Sequence, residues 1–236
     1  MCTVSFVKTA NKIIITSNRD ESVIRLNAIH PQVDTINDKK VIYPKDLKAG
    51  GTWYAVDEKG TVLVLLNGAD EKHQAQPPYR KSRGLIVLDM IGSASPKQYW
   101  DEMDLDNIEP FTLVFYQEGL LFQLRWNGVL KTKVSLDVNQ KHIWASSTLY
   151  PLEIRNKREQ LFQSFLEEKQ MVSETDMYHF HRYTDKDNPE NGLVINRNDL
   201  LKTLSITQAV VSHGQVAIKH YDLINEKEYA SLFAIS

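Results

Sequence analysis

The 236-residue chain has one cysteine, Cys2. A lone thiol cannot close an intrachain disulfide, so nothing in the sequence calls for an oxidising compartment. No apolar run approaches the roughly 20 residues that cross a bilayer. The N-terminus lacks the basic region and apolar stretch of a secretory signal, which makes the cytoplasm the expected location. Position 2 is not glycine, which excludes N-myristoylation. A formal net charge of -2 gives no electrostatic basis for binding nucleic acid or an anionic membrane. No glycine-rich phosphate loop precedes a helix, and no Gly-x-Ser-x-Gly occurs. His179-x-His181 falls in an expected helix, where positions i and i+2 diverge. Asp185-Lys186-Asp187-Asn188 lacks the glycine and the full ligand run of a calcium loop. No metal site and no cofactor is therefore expected, and the oligomeric state is left open.

What is present is an ordinary globular composition, 42% apolar and 25% charged. Strand signals fill the first third. A β-rich run over 2–8 turns at Asn11-Lys12 into Ile13-Ile14-Ile15-Thr16, and a second hairpin joins 52–56 to 61–67 through Glu58-Lys59-Gly60. The strand 61–67 is apolar on both faces, as a central, doubly covered strand would be. Residues 23–47 lack periodicity and read as a surface excursion. Ser82 is placed to cap a helix that stops at Gly92, and Ser95-Pro96 opens another. Strands follow at 111–116, 120–126, 129–134 and 142–145. The clearest helix spans 151–169, a polar loop covers 183–198, and strands at 205–212 and 215–221 close the chain. Segregated strand and helix blocks linked by hairpins predict a single α+β domain over 1–236 with largely antiparallel sheets.

Cys2 acquires chemical meaning if Met1 is removed, because residue 2 would then carry a thiol and a free α-amine. With a pKa near 7.7–8.0, the amine can take the thiol proton at neutral pH, so nucleophile and base reside on one residue. The bland alternative is a small buried cysteine at the start of a strand. The segment Thr16-Ser17-Asn18-Arg19-Asp20-Glu21 ends the second strand beside the start of the first. Such a hairpin brings Arg19 or Asp20 within reach of Cys2. Arginine favours the thiolate, and aspartate can orient a protonated amine.

Met1-Cys2, Ser17-Asn18-Arg19-Asp20-Glu21, Gly50-Gly51-Thr52-Trp53, Leu66-Asn67 and Arg80-Lys81-Ser82-Arg83-Gly84 together resemble the NRDE family, also called transport and Golgi organisation 2. The resemblance implies the N-terminal-nucleophile hydrolase fold, a four-layer αββα sandwich. A more distant likeness is to choloylglycine and penicillin-amide hydrolases, which cut linear amides. By that likeness Cys2 is the nucleophile, Arg19 supports the thiolate, Asp20 orients the amine and Asn67 stabilises the oxyanion; Asn67 reads equally as a turn residue beside Gly68 that closes a strand. Asn18, Trp53 and Ser147 are candidates for substrate or oxyanion contacts. Two positions depart from the family pattern, with Ser147 where Asn is expected and Leu204 where Arg is expected. The implied function is a Cys-dependent amidohydrolase or acyltransferase for a small linear amide. The alternative is a non-catalytic carrier or interaction protein, for a lipid-like or haem-like ligand, that keeps the fold.

Overall fold

A computed structural model describes residues 3–25 and 28–235. Cys2 lies outside the described residues. The strands fall into two antiparallel sheets. In the first, β1 (Thr3–Lys8) and β2 (Lys12–Ser22) form the expected hairpin, with Thr3 opposite Asn18 and Lys8 opposite Ile13. The second sheet begins with β3 (Ala28–Ile36), β4 (Lys39–Asp46), β5 (Tyr54–Asp57) and β6 (Val62–Asn67). It ends with β7 (Phe111–Gln117), β8 (Leu120–Trp126) and β9 (Lys131–Leu136), the seven strands lying in chain order. The first sheet is completed by β10 (His142–Ala145), β12 (Leu201–Ser212), β13 (Gln215–Asp222) and β14 (Lys227–Ala234). Its order is β10-β1-β2-β12-β13-β14, with the two-residue β11 (Asn196–Arg197) pairing β12.

Strand alternation assigns the layers. On β2, Ile13 and Ile15 join the core between the sheets, whereas Ile14 faces outward into a second apolar cluster. That outer cluster is covered by α3 (Leu152–Glu167) and α4 (Glu174–Tyr183), through Phe162, Leu166, Met177 and Phe180. The second sheet is covered on its outer face by α1 (Arg83–Gly92), joined by α2 (Pro96–Glu102), with Val87, Met90, Ile91 and Trp100 buried. The result is the four-layer αββα sandwich. Tyr54 ties its two sheets together: its hydroxyl donates to the Ile15 carbonyl (2.8 Å) and accepts from the Ala209 amide (2.9 Å).

The stretch 23–47 corrects the sequence reading. It holds two strands, β3 and β4, turning at Asn37 and Asp38, both with positive φ. β14 likewise follows the pair expected to close the chain. Both β3 and β14 are edge strands with few buried residues, so neither shows an alternating apolar pattern.

Candidate active site

The site is built on the end of β2, where alternation separates the expected residues. Arg19 lies on the face between the sheets. Asn18 and Asp20 lie on the face toward α3 and α4. Arg19 is 3% exposed, pairs with Asp46 at 3.0 Å, and stacks on the Trp53 ring at 4.1 Å from its centroid. Burial depresses its pKa, against the opposing charges of Glu21 and Asp46.

A cleft of about 290 Å³ opens here, lined by Arg19, Trp53 and Asn67 among others. Three of the residues singled out from the sequence thus share one cavity. Asn67 ends β6, and its side-chain amide has no hydrogen-bond partner among the described residues. The buried Trp53 Nε1 is likewise unpartnered. Opposite them lie Lys81, Ser82 and Arg83 at the start of α1. The Arg83 guanidinium holds Glu109 at 2.9 Å and donates to the Pro110 carbonyl.

Glycine explains how α1 comes so close. The Thr52 amide donates to the Gly84 carbonyl (3.1 Å), and a Cβ on Gly51 would lie 2.3 Å from the Gly84 carbonyl carbon. Only a backbone without side chains allows this approach. The Gly-Gly-Thr-Trp and Lys-Ser-Arg-Gly segments are therefore two halves of one joint, which forms the cleft wall.

Asp20 accepts from the Tyr150 hydroxyl (2.8 Å) and from the Thr203 hydroxyl. A β-bulge at Leu204 makes this possible. Thr203 pairs with Asp20 but Ser205 pairs with Arg19, so the two hydroxyls reach opposite faces of the sheet. Leu204 borders a separate cavity of about 500 Å³ on the other side of Arg19. Asn18 is fully buried. Its Nδ2 donates to the carbonyls of His181 (3.1 Å) and Leu193 (2.7 Å), and its Oδ1 accepts from His181 Nδ1. Ser147 turns away from the Arg19 cleft, donating to the Glu71 carbonyl (3.1 Å), while Ser146 donates to the Asn67 carbonyl (2.7 Å).

Ser5, His181 and Asn18 form a hydrogen-bonded set resembling a nucleophile, a base and its orienting amide. Asn18 fixes the tautomer: its oxygen requires a proton on Nδ1, leaving Nε2 to accept from Ser5 Oγ at 2.7 Å. All three are 0% exposed, so no substrate reaches them, and the set is a clamp holding α4 on β1 and β2. Desolvation, reinforced by the charge of Arg158, pushes the His181 pKa down to about 3. Among the described residues, no three His, Cys, Asp or Glu side chains converge as a metal site.

A model of the Transport and Golgi organisation 2 family matches residues 1–212. The chain belongs to this family. Among solved structures, it is similar to a Caenorhabditis elegans N-acylethanolamine-hydrolyzing acid amidase ortholog, at 10% identity and TM-score 0.61. That alignment covers 88% of this chain and 92% of the other. It is also similar to a cysteine-to-alanine mutant of conjugated bile acid hydrolase from Clostridium perfringens, at 10% identity and TM-score 0.64, covering 98% and 92%. An arginine-to-leucine variant of that hydrolase aligns at 9% identity and TM-score 0.54 over the same shares. At such identities the likeness shows the fold alone, that of the N-terminal-nucleophile hydrolases. Comparison with curated protein sequences gives no match.

For this family member, the sequence reading passed over Arg158 and weighed His181 only as a metal ligand. Arg158 is 1% exposed, stacks on Tyr150 and donates to Thr3 Oγ1 and the Gly192 carbonyl. One signal was available: Arg158 stands four residues before Phe162 and eight before Leu166, on the apolar stripe of α3. His181 shows the same sign, four residues after Met177. A charged or titratable side chain on a buried helical stripe needs a partner in the interior.

Proposed function

We propose that the Arg19 cleft cleaves a small linear amide, with Cys2 as nucleophile once Met1 is removed. The observation that carries this reading is the Asn67 side-chain amide, without a hydrogen-bond partner among the described residues, lining one cleft with Trp53 and a buried Arg19. Thr3 pairs with Asn18, one residue before Arg19, and Cys2 directly precedes Thr3 in the sequence. The structural neighbours whose names state amide or bile-acid conjugate hydrolysis support the same chemistry.

In the proposed reaction, the α-amine of Cys2 takes the thiol proton as sulfur attacks the amide carbonyl. The oxyanion forms at the Asn67 amide, and Arg19 stabilises the negative charge that develops on sulfur as its proton leaves. Collapse breaks the C–N bond, the leaving amine receives the proton from the α-ammonium, and a thioester remains. Water, deprotonated by the same amine, then releases the acid and restores the thiol. Asp20, held by Tyr150 and Thr203, orients the amine.

The test combines intact mass with a panel of amide substrates. Loss of one methionine's mass, acyl adducts on residue 2 and a Cys2→Ala variant that folds but does not turn over are the expected results. Retained Met1, or equal activity in the variant, overturns the reading. A carrier role has its own support in Leu204, which puts an apolar side chain where the family tends to place arginine. That reading requires ligand binding that survives Cys2→Ala.

A further inference from the structure

Beyond the Asn67-Gly68 turn lies a cavity of about 200 Å³ that shares no lining residue with the Arg19 cleft. Three arginines reach it from two elements: Arg125 of β8, and Arg155 and Arg158 of α3. In each, Nε is buried without a hydrogen-bond partner among the described residues.

Their charges are poorly compensated. Arg158 is almost fully buried and is held by neutral groups: the Thr3 hydroxyl, the carbonyls of Asn191 and Gly192, and the Tyr150 ring. Arg155 has no ion pair and no side-chain hydrogen bond among the described residues. Arg125 holds Asp70, whose side chain is 64% exposed and outside the cavity wall. Burial and the neighbouring charge of Arg155 both lower the Arg125 pKa, while Asp70 opposes them. The one carboxylate in the wall, Glu159, pairs with none of the three among the described residues.

The start of α3 adds to the field. Pro151 provides no side-chain cap, and Leu152, Arg155 and Asn156 of the first turns line the cavity. Uncapped amides and the helix dipole favour an anion there. With Arg125 set against Asp70, Arg155 and Arg158 are the two charges in the wall that have no ion pair among the described residues. Buried cations in this state are stabilised by a counter-anion, and guanidinium forks fit tetrahedral and planar oxyanions.

We infer that this cavity binds a doubly charged oxyanion, the phosphate of a small phosphomonoester, through Arg125, Arg155 and Arg158 at the N-terminus of α3. A carboxylate matches one of the two charges and a phosphate dianion both. The assignment makes no use of Cys2 and stands apart from the amide chemistry.

The test is calorimetric titration of the full-length chain with inorganic phosphate at pH 7.5, with ionic strength held constant by chloride. Acetate serves as a second titrant. Saturable phosphate binding, acetate at least tenfold weaker, and at least tenfold weakening by Arg155→Gln are expected. The Arg155 side chain makes no hydrogen bond or ion pair with another described residue, so the variant should keep its fold, which circular dichroism verifies. Arg125→Gln provides a second reading from β8. Absence of saturable phosphate binding overturns the inference. So does phosphate affinity unchanged in both variants, or acetate binding as tightly as phosphate.

Discussion

Tyr54 and Asn67, the first and last residues of one hairpin, show what single side chains do at its open end. The Asn67 amide has no hydrogen-bond partner among the described residues, so removing it leaves their hydrogen bonds intact and takes away a donor to developing charge. Asn67→Ala should slow acylation of Cys2 by about 10²–10³-fold with little change in stability. Single-turnover mass spectrometry reads the rate and urea denaturation the stability. An unchanged rate places the oxyanion elsewhere. Tyr54→Phe is the converse case. It strands the buried Ile15 carbonyl and Ala209 amide of two different strands, so unfolding free energy should fall by about 1–3 kcal/mol without loss of the cleft. A midpoint equal to wild type would mean that water replaces the hydroxyl. At this scale the sequence was legible in residue types more than in direction. Arg19, Trp53 and Asn67 line one cleft. Asn18 and Asp20 face the helices because a strand sends neighbours to opposite sides, and Ser147 is drawn to Glu71 by a turn that spacing does not reveal.

Elements were legible where burial imposes a period. β1, β2, β5 to β8 and the helices carry apolar residues at strand or helix spacing because both faces, or one stripe, must be covered. β3 and β14 carry little such pressure, and their residues, as in Lys227–Ala234, are chosen by a solvated edge. The docking of α1 is the opposite case, being fixed by backbone alone. Gly50 and Gly51 are adjacent but constrained differently. Gly50 has φ +72 with open space around its Cβ position, whereas a Cβ on Gly51 would strike the Gly84 backbone. Gly50→Ala should therefore cost about 1–2 kcal/mol of left-handed strain. Gly51→Ala should cost at least as much and also push α1 off the second sheet, since the atoms in the way are backbone. Urea midpoints rank the two, and reactivity of the cleft toward an amide substrate separates them. If Gly51→Ala retains full activity, the joint is not what shapes the cleft.

Across the whole molecule, stability should depend steeply on pH through two buried histidines on opposite sides of the first sheet. His181 sits beneath α4 with its pKa at about 3. His220 lies between the sheets, bonded to Thr207 Oγ1 at 2.8 Å. Desolvation, together with the charges of Arg19 and His30 and against that of Asp222, brings its pKa to about 4. Both are depressed below the unfolded value near 6.5. As pH falls through 6.5 the unfolded chain therefore takes up protons that the folded chain refuses, and stability is lost until each folded pKa is reached. Each group contributes a slope approaching about 1.4 kcal/mol per pH unit, so the pair approaches about 2.7 between pH 6 and 4. Against a total stability of about 5–15 kcal/mol, this loss brings the fold near its limit around pH 4. Unfolding free energies at pH 7.5, 6.0 and 5.0 should decline with this curvature. A His181→Gln variant, less stable at pH 7.5, should show roughly half the slope. Equal slopes in the two proteins would show that His181 is already charged in the folded state and that its clamp on α4 is not the neutral one described above.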